Sequence, residues 1–283
     1  MDQQIYGLMS QALPVYSRLR DNVWELVRQS KVLNSSFGNF AHSQLHYYGE
    51  RCQSVNLLLQ DGRLWDCEIV MRSALECVTR FIFVCIADEN ERANRVWEYS
   101  VALNQISDLA RSEKAKAAVD ANGDDELIRM LIGGVVLDDE DERLLRDKWS
   151  RKKRAALKQK WSFSEMIREI TQFKDEYVDL RLYKSLLHSY GLSSHLIHAD
   201  QTAINLNWDR NHREDREKEK MIRAHMARLL TDQVDYLYLC LGVLARVVKP
   251  EADWREISSE VMEMHKAAEF FHAEFGESQA HKY

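Results

Sequence analysis

Glycine and proline are scarce in this chain, at 10 and 2 of 283 residues, where soluble proteins average about 7% and 5%. That shortage excludes turn-rich sandwiches, collagen-like repeats and proline-rich linkers. Cysteine is sparse and odd in number: Cys52, Cys67, Cys77, Cys85 and Cys240. No C-x-x-C pair exists to form a zinc knuckle. Three of the five lie among apolar residues, where a free thiol packs as a small hydrophobe, so a reduced, cytoplasmic protein is expected. Long apolar runs are missing too. Phe81 to Ala87 is too short to span a bilayer, and Leu229 to Val248 is interrupted by Asp232, Gln233 and Asp235. The first residues lack the basic-then-apolar pattern of a signal peptide. No single sign of charge dominates: 39 basic against 45 acidic residues give a net charge of −6, so any polyanion site must be a local patch. There is no Gly-rich phosphate loop, no G-x-S-x-G and no H-E-x-x-H.

What the chain has is helix periodicity. Apolar residues make up 45% of it, enough for a sizeable core. Three- and four-residue spacing predicts a first helix over about Gln3–Val32, kinked or split at Pro14 and ended by Leu33-Asn34-Ser35-Ser36. Others follow over about Asn39–Gln60, Leu64–Ala87 and Glu89–Arg111. The third is apolar on most sides and should be the central, buried helix. Ala121 to Asp125 and Gly133-Gly134 read as breaks. The acidic run Asp138–Glu142 then precedes a basic stretch, Arg143–Lys160, a polarity that suits a helix macrodipole. Helices over about Glu176–His198, from Asp209 to about Val247, and over about Asp253–Phe275 complete the reading. No strand alternation persists. The expectation is one all-α domain over 1–283 with a charged helical insertion near 112–160.

Three constellations could carry chemistry. Arg72 and Glu76 lie four apart on the central helix and can pair, with Glu68 and Arg80 extending the ladder. They serve either a cleft or a buried structural network. Arg181, His188 and His195 recur at steps of seven, with Lys184 between the first two and His198 near the same face, provided Gly191 does not break the helix. An imidazole that exchanges a proton near neutral pH beside a guanidinium that stabilises phosphate charge suits metal-free RNA cleavage. The same residues also read as half-buried imidazoles and surface cations. His195, His198 and Asp200 could in principle share a metal, and Glu269-Phe-Phe-His272 matches one half of a di-iron motif; no cofactor is expected. Third, Arg151, Lys152, Lys153 and Arg154, with Trp149 and Trp161 flanking, could track a phosphate backbone with aromatic stacking partners. Against that, Asp138–Glu142 nearly cancels the local field.

Asp61-Gly62-Arg63, Met71-Arg72-Ser73-Ala74-Leu75-Glu76 and Tyr183 through Ser194-His195-Leu196-Ile197-His198-Ala199-Asp200 resemble a helical bacterial family of unknown function. Its members carry an R-S-x-x-E helix and a later S-x-x-x-H, and the likeness runs loosely over about 25–250. The same region is similar to the HEPN superfamily of helical bundles, whose nucleases carry an Arg, four to six residues, then a His. Arg181 and His188 fit with six between them. That resemblance implies a metal-independent endoribonuclease, acting as a toxin or phage-defence effector, with two motif copies meeting in a homodimer. His188 or His198 would be the base, Arg181 would stabilise phosphate, and Arg72 and Glu76 would position it. The competing expectation is a non-enzymatic helical module that binds a protein or small ligand, with Arg72, Glu76 and His198 as a structural polar network.

Overall fold

The computed structural model describes residues 3–29, 32, 34–123, 125–175, 178–250 and 253–279. It is all-α, and no strand occurs among the described residues. The chain divides into two compact units: residues 1–86 with 167–283, and residues 87–166. Segment 112–160 falls within the second.

The first unit is built on α1 (Gln3–Arg28), α2 (Ser36–Gln60), α3 (Leu64–Cys85), α10 (Leu186–His198), α11 (Gln201–His212), α12 (Asp215–Val248) and α13 (Arg255–Gln279). The spacing had α3 right as the central helix. Leu64, Cys67, Met71, Ala74, Leu75, Val78, Phe81 and Ile82 are all buried, and α2, α12 and α10 pack around it. Each such aliphatic or aromatic side chain contributes roughly 1.5–3 kcal/mol. All five cysteines are free and buried in this unit; desolvation pushes the thiols of Cys52, Cys67 and Cys77 up to about 12. Pro14 lies inside α1 without splitting it.

The residues leading into α10 differ from the expectation. A 3₁₀ turn, Arg181–Ser185, precedes the α-helix; Glu176, the expected start, and Leu33 lie outside the described residues. Gly191 sits within α10 and does not break it. The long charged helix expected from Asp209 is two helices. Arg213 is extended, with φ −69° and ψ 151°, and the His212 ring donates from Nδ1 to the Trp208 carbonyl at 2.8 Å, closing α11 with a side chain.

The second unit holds α4 (Glu89–Trp97), a π-turn over Glu98–Ala102, α5 (Leu103–Ala121), α6 (Glu126–Ile132), α7 (Asp139–Lys148) and α8 (Arg151–Lys160), with α9 (Phe163–Gln172) leading back to the first unit. Where one regular helix was expected over Glu89–Arg111, the π-turn interrupts it. Asp88, Asp125, Asp138 and Ser150 each cap a helix by accepting a backbone N–H. The last two explain why the acidic and basic runs form separate helices.

Candidate functional site

The polar stripe of α3 is the centre of the first unit's chemistry. Arg72 Nη2 donates to the Tyr190 hydroxyl at 2.9 Å, and that hydroxyl donates to Glu76 Oε1 at 3.2 Å. Arg72 Nε stands 3.4 Å from the same oxygen, and Arg80 Nη2 donates to Glu76 Oε2 at 2.9 Å. The Arg72 guanidinium also lies over the Tyr190 ring, 4.2 Å from its centre, a cation–π contact strengthened by desolvation. Its side chain is only 12% exposed. Nearly two turns earlier in the chain, Tyr183 and Thr79 exchange a 3.0 Å hydrogen bond between hydroxyls. As the α10 segment advances from 183 to 190, its partners on α3 fall from 79 to 72, so the two run antiparallel. The sequence reading gave Tyr183 and Tyr190 no role, although their spacing of seven is the step that picked out Arg181, His188 and His195.

Glu68 leaves the ladder. Its buried carboxylate turns to α12, where His225 Nε2 and an Arg228 guanidinium nitrogen both donate to Oε1. Arg228 also donates to Asp232 at 2.8 Å. Burial and the nearby Arg210 push the His225 imidazole down to about 4. It is neutral at pH 7 and donates to Glu68 as a neutral ring. Burial pushes the Asp232 carboxyl up to about 6, against the pull of Arg228. On the neighbouring turn His265 of α13 meets Asp235 at 2.7 Å, and this bond raises the imidazole. No motif signals the group, because its members come from three helices.

The remaining expected residues do not join Arg72. Arg181 is 80% exposed and held by Asp179, with Nε and Nη2 donating at 3.0 and 2.7 Å; this pairing lowers Asp179 to about 2. His188 and His198 are exposed on α10. His198 is therefore outside the buried network that the non-enzymatic expectation assigned it. His195 does have a partner: its Nδ1 lies 2.6 Å from Asp200 Oδ2. The other Asp200 oxygen accepts from the backbone N–H groups of Thr202 and Ala203 at 3.0 and 3.2 Å, capping α11. Between them Ala199 adopts a left-handed conformation, φ 47°, a costly state for a residue with a Cβ. The bond to His195, followed by the backbone N–H groups of Ala203 and Thr202, lowers the Asp200 carboxyl, and the carboxylate fixes the imidazole at Nδ1, leaving Nε2 directed away from it. Among the described residues no group of three or more His, Cys, Asp or Glu has metal-binding geometry.

In the second unit the tryptophans prove to be anchors. Trp149 is 9% exposed and donates from Nε1 to Gln105 Oε1 at 2.9 Å; it packs on Ala102 and Ile106. This removes it as a stacking partner for a nucleobase. Trp161 is buried as well and donates to Glu98 Oε2 at 2.9 Å. Glu98, in the π-turn, also binds Lys160. Both ends of α8 are thus pinned, and Arg151, Lys152 and Lys153 project into solvent, with Arg154 half-buried. Among the described residues no carboxylate pairs with these four or with Lys158. The acidic run does not neutralise them: Glu142 accepts from Lys116 and Arg146, each at 2.7 Å.

No helix among the described residues is long and apolar enough to cross a membrane. No curated protein and no solved structure matches the chain. Residues 43–218 match the model of a family of unknown function, DUF5677. The match takes in Arg72, Glu76, Ser194 and His198, the positions that carried the likeness in sequence. Because it spans more than half of the chain, the protein belongs to this family of unknown function.

Proposed function

We propose that the protein is a metal-independent endoribonuclease of the HEPN type, working through α10. The observation that carries this reading is the His195–Asp200 pair: an imidazole fixed at Nδ1 by a capped carboxylate, half-exposed, on a helix bearing two more exposed imidazoles. His195 and His198 are three residues apart, about 4.5 Å of helix rise, a spacing suited to a base and an acid on either side of one phosphodiester. His195 Nε2 takes the proton of a ribose 2′-hydroxyl as its oxygen attacks the neighbouring phosphorus. The P–O5′ bond breaks, and protonated His198 gives its proton to the departing 5′ oxygen. The products are a 2′,3′-cyclic phosphate and a 5′-hydroxyl. General acid–base catalysis of this kind contributes about 10²–10⁴-fold.

The roles of the other residues shift accordingly. Arg72, Glu76 and Tyr190 hold α10 against α3 and so position the imidazoles. Arg181 is occupied by Asp179. The α8 cations supply backbone affinity for RNA. On the HEPN reading two copies assemble, and the activity belongs to a cytoplasmic toxin or phage-defence effector. The test is cleavage of single-stranded RNA by the purified protein in excess chelator. A cyclic-phosphate product that disappears when the cleaved nucleotide is 2′-deoxy supports the reading; absence of any product from either RNA contradicts it.

A second reading has its own observation. Arg72 is covered by Tyr190, and Arg181 is taken up by a carboxylate, as they would be in a non-enzymatic helical module that binds a protein or small ligand. Under that reading the Arg72→Ala variant loses stability, and no RNA product is found from any variant or from the wild type.

A further inference from the structure

One side chain of α11 is hard to explain as packing. Trp208 is 66% exposed, and leaving so much indole in water forfeits a large hydrophobic gain. It is nonetheless held in place. The His212 ring stacks on it at 3.8 Å with an interplanar angle of 19°, and His212 is fixed by its Nδ1 bond to the Trp208 carbonyl. The pair forms the wall of an open groove of about 700 Å³, which Asn205, Asp209, Glu214 and Glu217 also line. Arg213 neutralises Asp209 at 2.6 Å. The Glu214 carboxylate has no partner among the described residues.

We propose that this groove is a nucleobase subsite, with the base stacked on Trp208 and its edge read by Glu214, and that it favours guanine. The inference rests on RNA being the substrate and names the base that the enzyme prefers. Stacking on an exposed aromatic is the standard way for a protein to hold an unpaired base. The charge of the groove argues against a phosphate there, because Glu214 and Glu217 are acidic. A free carboxylate instead suits a base edge with adjacent donors. Guanine offers N1–H and N2–H₂ side by side, whereas uracil offers only N3–H.

The experiment uses the full chain and free nucleosides, so it does not depend on cleavage. Guanosine and uridine are titrated while the indole N–H resonances are followed by NMR, the Trp208 signal being identified by its loss in Trp208→Ala. Guanosine is expected to shift the Trp208 signal saturably and to bind roughly tenfold tighter than uridine. Glu214→Gln should bring the two nucleosides to similar affinity. Trp208→Ala, an exposed position, should keep the melting temperature and abolish binding measured by calorimetry. The proposal is overturned if guanosine gives no saturable shift, if it binds Trp208→Ala as well as the wild type, or if Trp208 is found buried in a dimer by ultracentrifugation and mutation. RNA cleavage that persists without nucleoside binding would remove this subsite and leave the ribonuclease reading standing; nucleoside binding without cleavage would do the reverse.

Discussion

The Arg72 guanidinium lies over the Tyr190 ring while donating to that residue's hydroxyl, joining α3 to α10 across 118 positions of sequence. The same hydroxyl donates to Glu76, so one tyrosine bridges both members of the R-S-x-x-E pair, while Arg72 Nε and Nη1 stay buried without a hydrogen-bond partner among the described residues. Tyr190→Phe keeps the ring and removes the hydroxyl. A loss of about 1 kcal/mol is expected, or about 2–4 °C in the melting temperature. Arg72→Lys should cost more, because a lysine can neither stack as a plane nor bond at two points. Thermal melts of the two variants check the order.

The buried group on α12 makes a prediction about acid. The His225 imidazole is lowered from 6.5 to about 4, so the unfolded chain binds the extra proton between those values and stability rises with pH there. Asp232 is raised from 3.8 to about 6, so the folded chain binds the extra proton and stability falls across nearly the same window. Each effect is on the order of 3 kcal/mol, and they largely cancel. His225→Gln should therefore lose stability as pH rises from 4 to 6, and Asp232→Asn should gain it, while the wild type stays nearly level. Urea midpoints at pH 4, 5 and 6 test this. Parallel curves for all three proteins would contradict it.

The Asp235–His265 pair acts in another window. Its imidazole is raised above 6.5 by the carboxylate. Its contribution is fully present below the unfolded value and is lost as pH rises through the folded one. His265→Gln should thus destabilise at pH 6 and have little effect at pH 9, as read by melts at both values.

In the second unit, packing and binding separate. Trp149→Ala should cost about 3–5 kcal/mol by emptying a core position. Removing Arg151, Lys152 or Lys153 should leave the melting temperature unchanged. Each should also lower the slope of log affinity against log salt for a single-stranded RNA by roughly 0.7. Fluorescence anisotropy over a salt series measures it. A slope that does not change would show that α8 does not touch the backbone.

The helices were legible because apolar spacing is a local signal, and Leu64 to Cys85 announces its burial on most sides. Breaks set by a single side chain were not. Glu98, in the π-turn, is bonded to Lys160 and Trp161, more than sixty residues on, and the last turn of α11 is closed by one histidine ring. Arg72 and Glu76 were found because they share a helix face, and their true partner Tyr190 was missed because it lies on another element. Trp149 and Trp161 were misjudged as stacking residues for the same reason: a tryptophan between basic residues looks identical in sequence whether its indole faces solvent or Gln105. His195 was picked out by its stripe with Arg181 and His188, but its pairing with Asp200 follows the left-handed turn at Ala199, which no local pattern around an alanine reveals.

The most direct test of the central claim is the pH–rate profile of RNA cleavage in chelator for the wild type, His195→Ala and Asp200→Asn. Asparagine still caps α11, so Asp200→Asn should melt like the wild type. It should cleave at least about 100-fold more slowly, with the acidic limb of the profile, set by the His195 base, displaced, and His195→Ala should lose cleavage altogether. Full activity with an unmoved profile in either variant would contradict the account.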